Sequence, residues 1–342
     1  MPKIRARGED IRKFILANIS KHPADISKIT AIRFGVTRQA INKHLKKLVS
    51  GHALTESGNT RLKTYNLASI FEWSKTYIIE AGVAEDRVWL NDIRNMLDNL
   101  PDNVRSIWNY GFTEMFNNAI DHSNGSQILV EVRKTAESTE MLIMDNGLGI
   151  FKKIQTELNL LDERHALLEL SKGKLTTDKS RHSGQGIFFT SRMFDVYNIL
   201  SGGVYFAHQF GWPEDWILER DKFEHGTAVW MKLNNHTART AKKIFAQYTS
   251  GEDFGFTKTT IPVNLAQYGN DELISRSQAK RLLARVEFFK VVILDFTNVD
   301  SIGQAFADQI FRVFKLEHPE IKITAINANT NVTQMIQRAQ LG

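Results

Sequence analysis

The stretch YGFTEMFNNAIDHS, residues 110–123, decides how the middle of this 342-residue sequence is interpreted. We predict that it belongs to a long helix that begins near Asp102. Glu114 and Asn118 stand four residues apart, and side chains with this spacing lie on the same face of a helix. The predicted helix therefore presents a carboxylate next to a carboxamide.

Strands and further helices are predicted after this helix. The segments QILVEVRK (127–134) and TEMLIMD (139–145) both alternate along the chain with a period of two, which is typical of strands. The second of them runs into DNGLGI, and a long polar and helical segment follows. HSGQGIFFTSRMF (182–194) then begins another helix, and two strands, NILSGGVYFAHQF (198–210) and HGTAVWMKL (225–233), complete the unit.

Two common phosphate-binding motifs do not fit this sequence. A P-loop requires GxxxxGK followed by Ser or Thr, but Lys174 is followed by Leu175 and has no matching glycine upstream. A dinucleotide-binding fingerprint requires GxGxxG, and the pair Gly147 and Gly149 lacks the third glycine. The glycine-rich segments therefore predict neither a P-loop nor a Rossmann domain.

Four motifs follow one another in the sequence: EMFNNA on a helix, DxGxG after a strand, GQG at a helix start and a late GT. This ordered set resembles the GHKL ATPases, which include gyrase-type topoisomerases, heat-shock chaperones, histidine kinases and mismatch-repair ATPases. The resemblance covers about residues 101–235 and implies a Bergerat-type α/β sandwich that binds ATP and Mg²⁺. It implies that Asn118 ligates the magnesium ion and that Glu114 deprotonates an attacking water. Asp145 would accept a hydrogen from the adenine amino group, and Thr227 would add a polar contact nearby.

The same resemblance assigns four glycines to the binding of the nucleotide. Gly147 and Gly149 would let the backbone pass close beneath the base. Gly184 and Gly186 would open a helix whose backbone amides and positive end suit the phosphates. Each of these short motifs has an ordinary structural explanation when taken alone, and only their joint order points to a nucleotide.

Several assignments stay open at the level of sequence. Asn117 is an alternative to Asn118, and His122 is either a structural hydrogen-bonding residue or a phosphate contact. The segment between the two glycine motifs resembles the mobile ATP lid of these ATPases, although a solvated loop is the simpler alternative. Its basic and hydroxyl residues, which suit closure over a γ-phosphate, are Lys172, Lys174, Thr176, Thr177, Lys179 and Arg181.

Most of the positive charge of the chain lies in its first 68 residues. They contain 14 Lys and Arg against 4 Asp and Glu, a net charge of +10, whereas the remainder carries −4. Three predicted helices near residues 8–18, 26–34 and 37–50 precede two short strands around a Ser-Gly-Asn turn, and this order predicts a winged helix-turn-helix. The concentration of charge points to a polyanionic partner.

The third of these helices is predicted to start after Thr37, a residue type that caps helices. Arginine, glutamine and asparagine can bind base edges through paired hydrogen bonds, and lysine suits phosphates. Arg61 and Lys63 in the predicted wing would reach the flanking backbone or the minor groove. We expect double-stranded DNA as the partner, and the alternative is a winged helix that binds protein. The polar face of the helix presents Arg38, Gln39, Asn42, Lys43 and Lys46.

The rest of the chain divides into three predicted regions. Residues 69–100 are predicted to be a helical connector between the winged helix (1–68) and the ATPase-like region (101–250). In residues 254–342, strands alternate with amphipathic helices, beginning with a strand over 259–266 and a helix over 275–289, which predicts a small α/β domain. Its segment VVILDFTNVDSIGQAFADQIF resembles the STAS-like domains of bacterial anti-sigma-factor antagonists. Ser301 lies three residues before the phosphoacceptor position of that family, so we interpret this region as an interaction or dimerisation module.

The predicted fold class is thus multidomain α/β, with a mainly helical winged helix, a Bergerat-type α/β sandwich and a STAS-like α/β domain. The chain has no cysteine, which excludes disulfides, thiolate zinc sites and cysteine nucleophiles. It contains no apolar run of membrane-spanning length and no recognisable leader, so we expect a cytoplasmic protein without membrane contact.

The function predicted from these regions is that of an ATP-dependent DNA-binding regulator. Mg²⁺·ATP binding and slow hydrolysis would switch the conformation or dimerisation of the winged helix, and we expect a homodimer with a possible further protein partner at the STAS-like domain. The alternative is a serine/threonine kinase of the anti-sigma type that acts on a STAS-like partner. A histidine kinase is disfavoured, because no histidine followed by an acidic residue lies on a helix before the ATPase-like region.

Overall fold

The computed structural model is a mixed α/β protein with several sheets. It describes residues 2–59, 62–80, 82–175, 184–212, 216–249, 255–267 and 272–341, without the side chains of residues 2–6, 216, 217 and 219–224. The chain divides into two compact units. The first contains Met1–Lys75, Val130–Leu142 and Lys232–Thr237, and the second contains Thr76–Leu129, Ile143–Met231 and Ala238–Gly342.

Three helices and an antiparallel hairpin form the beginning of the first unit, as the sequence predicts. The helices α1, α2 and α3 and the strands β1 and β2 span Pro2–Asn18, Ile26–Phe34, Arg38–Ser50, Leu54–Ser57 and Thr64–Leu67. Their core is a cluster that includes the fully buried Ile15, Ile19, Ile41 and Leu45. The α3 helix begins as predicted, because the Thr37 hydroxyl accepts a hydrogen bond from the backbone N–H of Ala40 at 3.2 Å.

The largest sheet has five strands in the order β3-β4-β5-β7-β6. Strands β3 to β7 span Phe71–Ile78, Gln127–Lys134, Ser138–Asp145, Val196–Gln209 and Trp216–Asn234, in chain order. Strand β3 corrects the prediction of a helical connector over residues 69–100. In β3 the aromatic residues Phe71, Trp73 and Tyr77 are separated by two and by four residues, so all three fall on one side of a strand. On a helix, Phe71 would point away from the other two.

Helices of the second unit pack around one long helix, α5, which spans Asp102–His122 and confirms the predicted helix. Trp108, Phe112 and Phe116 of α5 are fully buried, and the Trp108 ring lies 4.7 Å from that of Phe194. A short helix α4 and further turns of helix precede α5 between residues 85 and 97. The remaining helices α4, α6, α7, α8 and α9 span Glu85–Val88, Ile150–Glu157, Glu163–Ser171, Gly186–Met193 and Ala241–Gln247.

The C-terminal region of the second unit contains a three-stranded parallel sheet in the order β10-β9-β8. Its strands β8, β9 and β10 span Lys258–Pro262, Val291–Asp295 and Lys322–Ile326. Its helices α10 to α13 span Arg276–Leu283, Gln304–Asp308, Lys315–Glu317 and Thr330–Leu341, and a π-helical segment joins α11 to α12. The alternation of strands and helices predicted for residues 254–342 is therefore present.

Two predicted elements of this region are shorter than expected. The helix predicted over residues 275–289 ends at Leu283, because Ala284 leaves the helical conformation (ψ 134°) and Arg285 follows in a left-handed one (φ 63°). The strand predicted over residues 259–266 ends at Pro262 and continues as a turn of 3₁₀-helix. Among the helices in the described part of the chain, none is both long and apolar enough to cross a membrane.

Candidate functional site

A small pocket, with a cavity volume of about 30 Å³, lies within the second unit, at the end of strand β5 and beside helix α5. Three residues that the sequence analysis singles out, Asn118, Asp145 and Thr227, line it together, and His122 lines it too. The other lining residues are Met115, Ala119, Ser123, Ile143, Ile150, Ile187, Ile199 and Val229.

Asp145 is the acidic residue of the pocket and is almost completely buried. Its Oδ1 accepts a hydrogen bond from the backbone N–H of Gly147 at 2.9 Å and another from that of Thr227 at 3.3 Å. Burial raises the pKa of the Asp145 carboxyl, and the two backbone N–H groups partly oppose this shift. The pocket thus holds a fixed, desolvated acceptor on an otherwise mostly apolar wall.

The loop after Asp145 is held against the end of α5. The backbone N–H of Leu148 donates to the carbonyl of Ser123 at 2.8 Å. A Cβ atom on Gly147 would lie only 2.1 Å from that carbonyl oxygen, so no larger residue fits without moving the loop. Gly149 follows with a φ of 93°, a conformation that residues with a side chain rarely adopt. Both glycines are therefore needed for the loop to run along the pocket.

Thr227 connects the last long strand of the pocket to the start of α6. Its Oγ1 accepts a hydrogen bond from the backbone N–H of Ile150 at 2.9 Å. Ser201 on strand β6 supports this arrangement, because its hydroxyl donates to the carbonyl of Gly226 at 3.1 Å and lies 3.4 Å from Thr227 Oγ1. Ser201 cannot be identified from the sequence, since a serine in a strand has no distinguishing pattern.

Glu114 and the start of helix α8 lie against one another. A Cβ atom on Gly186 would come within 2.0 Å of Glu114 Oε2, so the carboxylate fills the space left by the missing side chain. Glu114 also faces Tyr110, whose pKa is raised by burial and, to a lesser degree, by this carboxylate. Gly184, with a φ of 68°, is packed against the backbone of Leu175. The structure therefore places Glu114 of α5 beside Gly186, the first residue of α8.

The predicted site residues of this region thus fall in one connected neighbourhood. Among the predicted lid residues, Lys172 and Lys174 are described, and Thr176, Thr177, Lys179 and Arg181 lie outside the described residues. Asn117 is not among the residues that line the pocket, whereas Asn118 is. Sequence reasoning misses the apolar lining residues such as Ile143 and Val229, because their alternation is the same as that of core residues.

Five of the seven predicted DNA-binding residues lie on the exposed side of α3 in the first unit. Opposite them, Ile41, Leu45 and Leu48 are buried, which confirms the predicted amphipathic character of this helix. Lys63 lies 2.7 Å from Glu56 across the hairpin, and this hydrogen bond raises its pKa. Arg61 lies outside the described residues. The exposed residues are Arg38, Gln39, Asn42, Lys43 and Lys46.

Comparison with known protein families identifies one part of the chain. Residues 278–333 match the family model described as a STAS-like domain of unknown function (DUF4325). This segment extends from α10 into α13, so the STAS-like character predicted for the C-terminal region is confirmed there. A search of curated proteins finds no match to the chain.

The raised pKa of Asp145 gives a prediction about stability. A carboxyl whose pKa is higher in the fold than in the unfolded chain favours folding when protonated, and it loses this contribution as the pH rises through the folded-state pKa. We expect Asp145→Asn, which is always neutral, to raise the thermal unfolding temperature of the ligand-free protein at pH 7 to 8. The gain is expected to disappear near pH 3, where wild-type Asp145 is protonated as well.

The exposed Asp300 provides the matched control, since Asp300→Asn removes the same charge from the surface. Calorimetric scans of the three proteins across this pH range measure the effect. A lower unfolding temperature of Asp145→Asn at pH 8 would show that the ionised carboxylate stabilises the loop more than burial penalises it.

Proposed function

We propose that this protein is an ATP-binding regulator whose pocket takes Mg²⁺·ATP and whose basic helix α3 binds double-stranded DNA. The observation that carries the proposal is the buried carboxylate of Asp145, held by two backbone amides in a pocket that also contains Asn118 and Thr227. Such a fixed acceptor in an apolar cleft suits a flat, nitrogen-rich base that donates from an amino group.

The adenine end of the proposed site is formed by Asp145 and the residues near it. The carboxylate would accept a hydrogen bond from the exocyclic amino group, and the apolar side chains of Ile143, Ile150 and Val229 would contact the faces of the ring. Through its charge and its hydrogen-bonding pattern, Asp145 would select adenine over other bases, because a base with a carbonyl at this position would offer the buried carboxylate no donor.

The phosphate end of the proposed site lies at the start of α8. Backbone amides at the beginning of a helix attract anions, and Ile187 in the first turn of α8 lines the pocket. Asn118 would ligate magnesium through its amide oxygen. The described residues include no cluster of three or more histidine or acidic side chains that would hold a metal, so the remaining ligands would be phosphate oxygens and water.

Glu114 is the proposed general base for hydrolysis. It lies one helical turn before Asn118 on the same face of α5, and it lies beside Gly186 at the start of α8. A carboxylate between the proposed metal ligand and the proposed phosphate site is suitably placed to orient a water molecule. The order of elements around the pocket is what a GHKL ATPase would have, and this likeness supports the assignment.

The basic surface on α3 is the proposed DNA-binding element. It carries exposed arginine, glutamine and asparagine near the start of a helix, together with two lysines. With the hairpin β1–β2 after it, this arrangement supports a winged helix-turn-helix that places α3 in the major groove. ATP-dependent dimerisation would set the spacing of two such elements, and the STAS-like region would serve as a further protein contact.

The first prediction concerns nucleotide affinity. Asp145→Asn removes the charged acceptor, and we expect it to weaken Mg²⁺·ATP binding by about 10- to 100-fold, the usual effect of losing a hydrogen bond to a charged group. Titration calorimetry at fixed free magnesium measures the affinity, and Asp300→Asn serves as the matched control. Equal affinities in wild type and Asp145→Asn would rule out the proposed role of Asp145.

The second prediction concerns the fate of the γ-phosphate. Incubation with γ-labelled ATP is expected to release free phosphate slowly, and Glu114→Ala is expected to reduce this rate by about 100-fold or more because the general base is lost. Glu317→Ala, at an exposed position, is the control. Label that stays on serine or threonine of the protein would instead favour the protein-kinase alternative.

The third prediction concerns DNA. Lys46→Ala is expected to weaken binding to all duplex sequences alike and to lower the slope of log affinity against log salt by about 1. Arg38→Ala and Asn42→Ala are expected to reduce discrimination between sequences. Fluorescence anisotropy of the full-length protein at several salt concentrations tests both effects, with Lys280→Ala in the C-terminal region as the control. Salt-independent affinity, or no affinity, would favour a protein partner for α3.

A further inference from the structure

Among the described residues, Lys172 is the most deeply buried lysine or arginine, and the proposed chemistry gives it no role. Its side chain is about 2% exposed, and its ammonium group lies 2.6 Å from Oε1 of Glu169, which is equally buried. Glu169 lies in the last turn of α7, and Lys172 directly follows the last residue of that helix. A buried charge pair of this kind seldom adds stability over an apolar pair, which indicates that the pair has a role other than stabilisation.

The remaining hydrogen bonds of Lys172 lead to the STAS-like region. Its Nζ donates to the backbone carbonyls of Ala284 at 2.8 Å and Arg281 at 3.1 Å. These carbonyls lie at the carboxyl end of α10, where the helix dipole favours a cation. With Glu169 as the third acceptor, all three hydrogens of the ammonium group are satisfied.

Neighbouring residues of the same stretch make parallel connections. The hydroxyl of Thr259 on β8 donates to the carbonyl of Lys172 at 2.7 Å. The ammonium group of Lys174 lies 2.6 Å from the carbonyl of Phe288 and 4.7 Å from the centre of the Phe289 ring. Lys174 has a positive φ of 56°, an unfavourable conformation for a lysine that these contacts hold in place.

This stretch in turn supports the start of α8. The backbone of Leu175 is in contact with Gly184, where a Cβ atom would lie 2.4 Å from the Leu175 carbonyl oxygen. Two residues further on, Gly186 lies against Glu114. The α8 helix also packs on the C-terminal region directly, because the ring of Phe256 lies 4.7 Å from that of Phe188 and 5.2 Å from that of Phe289.

From these contacts we infer that Lys172 is a positioning residue of the nucleotide site. It fastens residues 172–175 to the carboxyl end of α10 in the STAS-like region, and these residues hold the start of α8 in place. The inference rests on the proposed function for its effect on ATP. Lys172 is not among the residues that line the pocket, so its effect is expected on the phosphates through α8 and not on the adenine.

The decisive variant removes both buried charges at once. Lys172→Met alone would leave Glu169 buried without its cation, which destabilises the fold for reasons unrelated to positioning. The double variant Glu169→Gln with Lys172→Met keeps the volumes similar and removes the bonds to α10. Lys280→Met, at an exposed position of the same helix α10, is the control.

We expect the double variant to fold, to bind adenosine like wild type, and to bind Mg²⁺·ATP about tenfold more weakly, a usual size for coupling between distant elements. In the nucleotide-free protein, the amides of α8 should exchange hydrogen faster than in wild type and in Lys280→Met. Lys174→Met, which leaves no buried charge behind, should speed hydrogen exchange at α8 in the nucleotide-free protein in the same way, and this readout decides the question if the double variant does not fold.

Two results would overturn the inference. One is a folded double variant with wild-type exchange at α8 and wild-type ATP affinity, which would mean that the pair only contributes to packing. The other is an equal loss of adenosine and ATP affinity, which would mean a general distortion of the pocket. A wild-type protein that binds neither ligand would refute the proposed function instead, and hydrogen exchange at α8 would still decide whether Lys172 positions that helix.

Discussion

The hydrogen bonds that converge on Asp145 are the constraint on which the candidate site depends. A buried carboxylate is costly unless donors satisfy it, and here two backbone N–H groups from separate parts of the chain, those of Gly147 and Thr227, do so. These bonds fix the loop after β5 against strand β7. Through Thr227 and Ile150, the same connections orient the start of α6. The carboxylate acceptor of the pocket is therefore fixed in place before any ligand enters.

A second set of contacts explains why the STAS-like region belongs to the same compact unit as the pocket. Aromatic rings on α8 and on residues 256 and 289 form a continuous cluster. The buried pair of Glu169 and Lys172 adds directional bonds to the carboxyl end of α10. Apolar packing alone tolerates sliding, whereas hydrogen bonds to particular carbonyls allow one arrangement. This combination fixes α8 relative to the STAS-like region.

Helices and strands with a strong period were predictable from the sequence, and the exceptions have physical reasons. The amphipathic α3 and the long α5 are where their patterns indicated. Residues 71–78 belong to the predicted helical connector, yet they form an edge strand of the five-stranded sheet, in which Phe71, Trp73 and Tyr77 share one side. Helix α10 ends early at Ala284, whose ψ of 134° is not helical, and alanine at that position gives no sequence signal of a helix end.

The sequence by itself determined the STAS-like character of the C-terminal region, the basic amphipathic helix α3, and a set of polar residues and glycines whose order suggested one site. These are properties of local pattern and composition. Only the tertiary structure decided that Asn118, Asp145 and Thr227 line one pocket, that Ser201 supports it, and that Lys172 reaches the carbonyls of α10. A Glu and a Lys three residues apart usually form an exposed pair on a helix, and their burial here depends on a helix more than one hundred residues further along the chain.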